Sequence, residues 1–418
     1  MSVPADDAGR RLRAWMARIE SAHPRSIDMG LDRVGAVADR LELRPFPATV
    51  LTVAGTNGKG SCAMILERLL SAAGRRVGTY TSPHLVRYNE RVRVAGTEAD
   101  DDALCEAFEA VEAARGDIPL TYFEYGTLAA LLVFRAAGVD TAVLEVGMGG
   151  RLDAVNILDA DVAAITSIGL DHADWLGDTR EAVGREKAGV LRGGRPAVCG
   201  DPDPPASVLA AAREIGAELH LVGRDFALDV GDDGWHWRDW RGATATLPPA
   251  DELLPDNLAT ALAVLTAAEA MPAPDVLSSA LRGYAVPGRR QTVPGEVPVV
   301  LDVAHNAEAA AVLAAWLARR PVAGRTHLVL GMLRNKPVAA VAAALAPHVD
   351  GILAAGLPGV DRGLSGAELA ARLPNPAAVH EDVARALAAA RARAAAGDRI
   401  LVCGSFYTVG AAMEAMAL

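Results

Sequence analysis

The sequence predicts an α/β protein, with a larger, mostly parallel first domain and a smaller second α/β domain. Three observations carry this. The 418 residues exceed one typical domain, and 51 % hydrophobic residues are enough for two large cores. From about residue 49 to 200, strand-like and helix-like segments alternate, the pattern of a parallel sheet covered on both faces. A Pro- and Gly-dense stretch, VPGRRQTVPGEVP, then precedes a second strand-helix series. The expected domains are 1–286 and 287–418.

The elements follow in order. ATVLTVAG is a β-branched strand that runs into a Gly-rich turn, and CAMILERLLSAAG is a helix ending at Gly74. RVGTYTS is a second strand. FEYGTLAALLVFRAAG is a helix closed by Gly138, and TAVLEVG, DVAAITSIG and RPAVCG are three more strands. Residues 219–247, rich in Trp, Asp, Gly and Thr, read as short antiparallel strands, a small β excursion on the first domain. The helix DNLATALAVLTAAEAM closes that domain. VPVVLDVAHN opens the second, whose later strands are THLVLGM, GILAAG and RILVCGS. The Ala/Arg-rich helix at 385–396 reads as a solvated surface.

Composition narrows the function classes. A net charge of −11 argues against a general nucleic-acid binder. Cys62, Cys105, Cys199 and Cys403 form no CxxC pair and match no metal spacing, so they read as free thiols in a reducing compartment. The first twenty residues hold no apolar core of a signal peptide, and no run approaches the ~20 apolar residues of a membrane span. The expectation is a soluble cytoplasmic protein without nucleic-acid or membrane partners.

The motif richest in chemistry is Gly55-Thr56-Asn57-Gly58-Lys59-Gly60-Ser61, between a strand and a helix. Backbone N–H groups in such a loop bind phosphate, with the positive helix end behind them. Lys59 would reach the outer phosphates and the Ser61 hydroxyl would face Mg²⁺. The general GxxxxGK[ST] spacing is not met, because Gly60 separates Lys59 from Ser61. Even so, the context predicts a P-loop-type ATPase domain. Glu145 and His172 both lie at carboxyl ends of strands, where ligands of such sheets bind, and an acid with an imidazole there suits Mg²⁺. Lys187, in REKAG, reads by itself as a surface helix lysine. Asp302, His305 and Asn306 close the first strand of the second domain, a usual place for a site. Lys336 follows the next strand.

GTNGKGS, TSPHLVRYNERVRV, TYFEYGTLAAL, LEVGMGGRLDAVN, GLDHADWLG, REKAG, PGRRQ, LDVAHN and GSFYTVG occur in this order. Together they resemble the Mur-ligase-type enzymes of folate metabolism, in their bacterial bifunctional dihydrofolate synthase/folylpolyglutamate synthase form, from SIDMGLDRV to the C-terminus. That family's loop is GTNGKG[ST], which accounts for the extra Gly60.

The resemblance implies a Rossmann-like C-terminal Mur-ligase domain and an ATP-dependent ligase that joins L-glutamate to dihydropteroate and to reduced folates. It implies that Asn57, Gly58, Lys59, Gly60 and Ser61 form the ATP phosphate loop, and that Ser82, Glu145 and His172 are Mg²⁺ ligands, with Mg²⁺ at two sites. Lys187 matches a lysine that carries a carbamate, which replaces the surface reading. Asn257, Arg289 and Asp302 match ATP contacts across the domain junction, and His305 an active-site histidine. Asp28-Met29-Gly30, Thr121-Tyr122-Phe123-Glu124 and Leu152-Asp153-Ala154 match three loops that hold the pterin. Phe123 would stack on the flat ring and Asp153 would accept its N–H donors. A monovalent cation and a monomeric state complete the expectation.

Departures from the family pattern are Arg290 where PGRFQ is frequent, Ala307 where HNP is, and Asn335-Lys336-Pro337 where DKD is. The last lies near the amino-acid site. A folylpolyglutamate synthase without dihydropteroate activity is the alternative. A cell-wall Mur ligase would need an extra domain before the loop, and the 54 residues before Gly55 are too few for it. An ATP-hydrolysing switch would need no second domain with its own polar strand end.

Overall fold

The computed structural model describes residues 7–23, 25, 27–231, 233–250, 252–375 and 377–418. The chain forms two units, residues 1–84 with 88–282 and residues 85–87 with 283–418. Seventeen strands, numbered in chain order, occur among the described residues. In the first unit they are β1 (Thr49–Ala54), β2 (Val77–Tyr80), β3 (Val92–Val94), β4 (Thr97–Glu98), β5 (Thr141–Glu145), β6 (Val162–Ile165), β7 (Pro196–Cys199), β8 (Glu218–Leu221), β9 (Ala227–Gly231), β10 (Gly234–Arg238) and β11 (Thr244–Leu247). In the second they are β12 (Gln291–Val293), β13 (Val299–Asp302), β14 (Thr326–Leu330), β15 (Gly351–Ala355), β16 (Ala378–His380) and β17 (Arg399–Cys403).

The first unit is built on an eight-stranded sheet in the order β4-β3-β2-β5-β1-β6-β7-β8. From β2 to β8 all pairings are parallel, and β3 and β4 add an antiparallel edge. Alternate residues of β1 and β5 are buried to both sides. Val50, Ala54, Ala142 and Leu144 enter one core, while Leu51, Val53 and Val143 are buried on the opposite face. That is why these strands read as continuous apolar runs. β1 lies between β5 and β6, whose connections diverge, so the crevice beyond its carboxyl end is a topological switch point.

Two expectations need correction here. Residues 219–247 are not all antiparallel. β8 pairs parallel with β7 and extends the main sheet, and only β9, β10 and β11 form the antiparallel three-stranded sheet. The short run ELHL carries too little alternation to reveal its partner.

The second unit has a six-stranded sheet, β12-β13-β17-β14-β15-β16, parallel except for β12. β12 falls within the Pro/Gly-dense stretch that read as a junction. Val300, Leu328, Leu330 and Leu401 enter one core, and Val299, Leu301, Val329 and Val402 the other. The Ala/Arg helix is Val383–Arg393, and Val383, Ala386, Leu387 and Ala390 are buried. It is therefore amphipathic rather than wholly solvated. Alanine fits either face, which hid its buried stripe. All four cysteines are free and buried, and no described helix is long and apolar enough to cross a membrane.

Candidate functional site

β1 ends at Ala54, and the helix Lys59–Ala72 begins five residues later with Gly58 as its left-handed cap, at φ 88°. A Cβ at Gly58 would stand 2.2 Å from Asn257 Oδ1, and one at Gly55 would stand 1.9 Å from Thr166 Oγ1. Only glycine permits either backbone approach. The loop is tied down by residues just past β6. Thr56 N donates to Ser167 O (2.7 Å), Asn57 N donates to Ser167 Oγ (3.1 Å), and Thr166 Oγ1 and Ser167 Oγ donate to Asn57 O (2.7 and 3.0 Å). Thr56 Oγ1 also donates to Gly169 O at 3.1 Å. The amides at a helix start lack partners within the helix, so a loop held this way offers donors to an anion. Lys59 Nζ folds back on Thr56 O at 3.2 Å. The tying residues Thr166 and Ser167 were not singled out from sequence; their signal is the hydroxyl pair ending the strand DVAAITSIG.

Lys187 lies on the helix Arg180–Ala188, whose inward face carries Val183, Gly184, Lys187 and Ala188. It is 3 % exposed, and its Nζ donates to Gly55 O at 2.7 Å. The reading as a surface lysine is wrong. The four-residue spacing from Val183 puts Lys187 on the buried stripe. Burial, and secondly the charge of Lys59, push the amine down to about 7; Asp171 and Asp153 act in the opposite sense. Lys59, Lys187, Asp153 and Asp171 thus share one electrostatic neighbourhood.

Glu145, the last residue of β5, is buried, and its Oε2 accepts Ser82 N at 2.9 Å. The same carboxylate lies 3.2 Å from where a Cβ on Gly60 would be, at the start of the helix Lys59–Ala72. Ser61, on that helix, is also buried. A buried carboxylate with hydroxyls beside a phosphate loop is an oxygen donor set that fits a hard divalent cation. His172 adopts a left-handed backbone at the cap of the short helix Ala173–Leu176; its ring is 43 % exposed and its Nε2 is 3.9 Å from Asp171. No three His, Cys, Asp or Glu side chains gather as a metal site among the described residues; a Glu145–His172 pair completed by hydroxyl and phosphate oxygens is a smaller set of such side chains than that.

The three loops matched to pterin binding have distinct surroundings. Asp153 is buried and caps the turn Ala154–Ile157; its oxygens accept Met148 N (2.9 Å) and Val155 N (3.1 Å). Burial pushes its carboxyl up to about 7 against those bonds. Ala154 is buried and Leu152 half-buried beside it. Thr121 and Glu124 form a reciprocal capping box at the start of the helix Tyr122–Ala137. The Phe123 ring packs over Gly147, with Tyr80 at 5.7 Å. Tyr122 is instead engaged by the Arg91 guanidinium, 5.3 Å from its ring centre. Met29 Cε and Leu176 Cδ2 both approach Gly149, which brings the Asp28–Met29–Gly30 loop to the 147–154 loop. A Cβ on Gly30 (φ 159°) would meet nothing within 4 Å.

In the second unit, β13 ends at Asp302, whose Oδ2 accepts Arg290 N (2.9 Å) and whose Oδ1 accepts Ala304 N (2.8 Å). Burial raises its carboxyl above the ordinary range. His305 is held through Nδ1 to Val303 O at 2.8 Å. Phe406 lies between two of the named residues. The Arg289 guanidinium sits 4.7 Å from its ring centre, and the His305 ring is 6.2 Å away. The sequence reading named Arg289, Asp302 and His305 but not Phe406, though GSFYTVG contains it.

Two family models match the chain, the Mur ligase middle domain at residues 53–204 and the Mur ligase, glutamate ligase domain at residues 288–406. The dihydrofolate synthase/folylpolyglutamate synthase of Escherichia coli (strain K12) is 47 % identical over 97 % of this chain and 96 % of its own. A solved structure of E. coli FolC in complex with DHPP and ADP superposes with a TM-score of 0.94 at 46 % identity, covering 99 % of each chain. A bifunctional folylpolyglutamate synthase/dihydrofolate synthase with Mn, AMPPNP and L-glutamate bound gives 0.92 at 46 % identity, over 99 % of this chain and 100 % of the other. With a glycine-rich loop between β1 and a helix, a buried carboxylate beside it and likeness along the full length, this chain belongs to the Mur ligase family, in its dihydrofolate synthase/folylpolyglutamate synthase group.

Proposed function

We propose that this chain ligates L-glutamate to 7,8-dihydropteroate, and further glutamates to reduced folates, each time consuming ATP and forming an acyl phosphate. The observation that carries the reading is the Gly55–Ser61 loop with the buried Lys187 amine on its first carbonyl. The relatives solved with ADP and DHPP, or with AMPPNP, Mn and L-glutamate, support the choice of substrates.

The substrate carboxylate attacks the γ-phosphorus of ATP; the new O–P bond forms as the bond to ADP breaks. Loop amides of Asn57 to Ser61 and the Lys59 ammonium offset charge on the transferring group. Glu145, Ser61 and Ser82, with His172, would hold Mg²⁺, which when bound neutralises phosphate charge. The glutamate amine then attacks the acyl carbon and phosphate leaves. Asn257, Arg289, Asp302 and His305 are assigned to ATP and the transfer step. The pterin is assigned to Asp28–Gly30, Thr121–Glu124 and Leu152–Ala154, with Phe123 against the ring and Asp153 on its N–H groups.

Lys187 is assigned a carbamate. A buried amine held near neutrality keeps its lone pair, which adds to CO₂ and releases a proton, and the product oxygens could help hold a second Mg²⁺. A monovalent cation, a monomeric state and a cytoplasmic location belong to the same reading.

Product mass tests the function. Incubation with Mg-ATP, L-glutamate and 7,8-dihydropteroate should yield dihydropteroate plus one glutamyl unit, only with ATP. Extension of reduced folate without dihydropteroate ligation would leave the polyglutamylating activity alone. ATP turnover with no ligated product would refute the reading. The carbamate is tested by Lys187→Ala, which should lose most activity and regain part of it with added short carboxylic acids.

A further inference from the structure

Arg33, on the helix Asp32–Arg40, reaches two separate loops at once. Its Nη1 is 2.9 Å from Asp28 Oδ2, and its Nη2 donates to Asp28 O at 2.6 Å and to Glu124 Oε1 at 3.3 Å. Its Nε is buried and makes no hydrogen bond. Glu124 Oε2 is meanwhile committed to Thr121 N at 2.7 Å, in the cap of the helix that carries Phe123. His23 Nε2 and Arg25 Nη1 stand farther from Asp28, at 3.5 and 3.8 Å. Asp28 and Glu124, two of the three carboxylates in the loops matched to pterin binding, are therefore engaged by protein donors. Arg33 leaves one of its own buried donors unsatisfied while its fork spans the two loops. A lysine could offer only a single point charge there.

We propose that Arg33 is a positioning residue for the pterin pocket. It clamps the 28–30 loop to the amino end of the helix Tyr122–Ala137, and so sets Met29 and Phe123 relative to one another. Asp28 and Glu124 then act through Arg33, and direct recognition falls to Phe123, Asp153 and backbone groups. This rests on the assignment of the pterin to these three loops.

The test is steady-state kinetics of the full chain. Wild type is first shown to ligate dihydropteroate; if it does not, the functional assignment falls, whatever Arg33 does. Given that activity, Arg33→Met should raise KM for dihydropteroate about tenfold, with kcat within about twofold and KM for ATP unchanged. Asp28→Asn should move KM in the same direction, and the double variant should add little to Arg33→Met, because both break one clamp. Arg33→Lys, which keeps the charge, should still show several-fold higher KM, and it carries the test if Arg33→Met does not fold. An unchanged KM for dihydropteroate, or a fall in kcat with all KM values unmoved, would overturn the proposal.

Discussion

Replacing Lys187 by methionine should make the protein more stable at neutral pH while abolishing ligation. The wild-type amine is 3 % exposed, and burial lowers its pKa from 10.5 to about 7. In the unfolded chain the same group stays protonated up to about pH 10.5. Between pH 7 and 10.5 the unfolded state therefore binds one more proton, and stability rises with pH by about 1.4 kcal/mol per unit. Below pH 7 both states are protonated and the slope vanishes. At pH 7 the burden relative to an unperturbed lysine is about 4 kcal/mol. Methionine removes it and fills similar volume, but forfeits the bond to Gly55 O, about 1 kcal/mol. The net gain should be about 2–3 kcal/mol. Urea denaturation of both proteins at pH 7, 8 and 9, in buffer freed of CO₂, reads this directly. The wild type should gain stability on Lys187→Met by steadily less as pH rises. Parallel stability lines for the two proteins would show that Lys187 is not held near neutrality, and would remove the basis for its reaction with CO₂.

Three further outcomes are expected. Gly58→Ala must place a Cβ 2.2 Å from Asn257 Oδ1 at a left-handed φ, so it should lower stability by about 1–3 kcal/mol and weaken nucleotide binding, read by calorimetry with AMPPNP. Asp153, with a folded pKa raised from 3.8 to about 7, makes the folded state bind the extra proton between those values, so wild-type stability should fall as pH rises from about 4 to 7; Asp153→Asn should flatten that slope and raise KM for dihydropteroate. Ser365→Ala removes the capping box of the helix Gly366–Ala370 and should lower stability by about 1 kcal/mol in thermal melts, with ATP turnover unchanged.

Much of this architecture is legible in the residue order, and for identifiable reasons. β1, β5 and β6 are buried on both faces, so they appear as short apolar runs, too brief for helices and bounded by turn residues. The loop 55–61 shows its glycines because two backbone approaches admit nothing larger. Legibility failed where a partner decides the outcome. β8 is four residues of mixed polarity whose parallel pairing depends on β7, and β16 is three residues at a sheet edge. The helix Val383–Arg393 conceals its buried stripe among alanines.

The site divides along the same line. Residue order alone revealed the glycine-rich loop between strand and helix, the acids at strand ends and the kinship with Mur ligases, because spacing along one strand-loop-helix unit is a local property. Only the tertiary structure decided that Lys187 is buried on Gly55 O, that burial raises the Asp153 carboxyl to about 7, and that Arg33, beside Asp28, reaches Glu124 across 91 residues of chain. Desolvation and long-range hydrogen bonds depend on what the rest of the fold places around a group, and one-dimensional spacing does not carry that information.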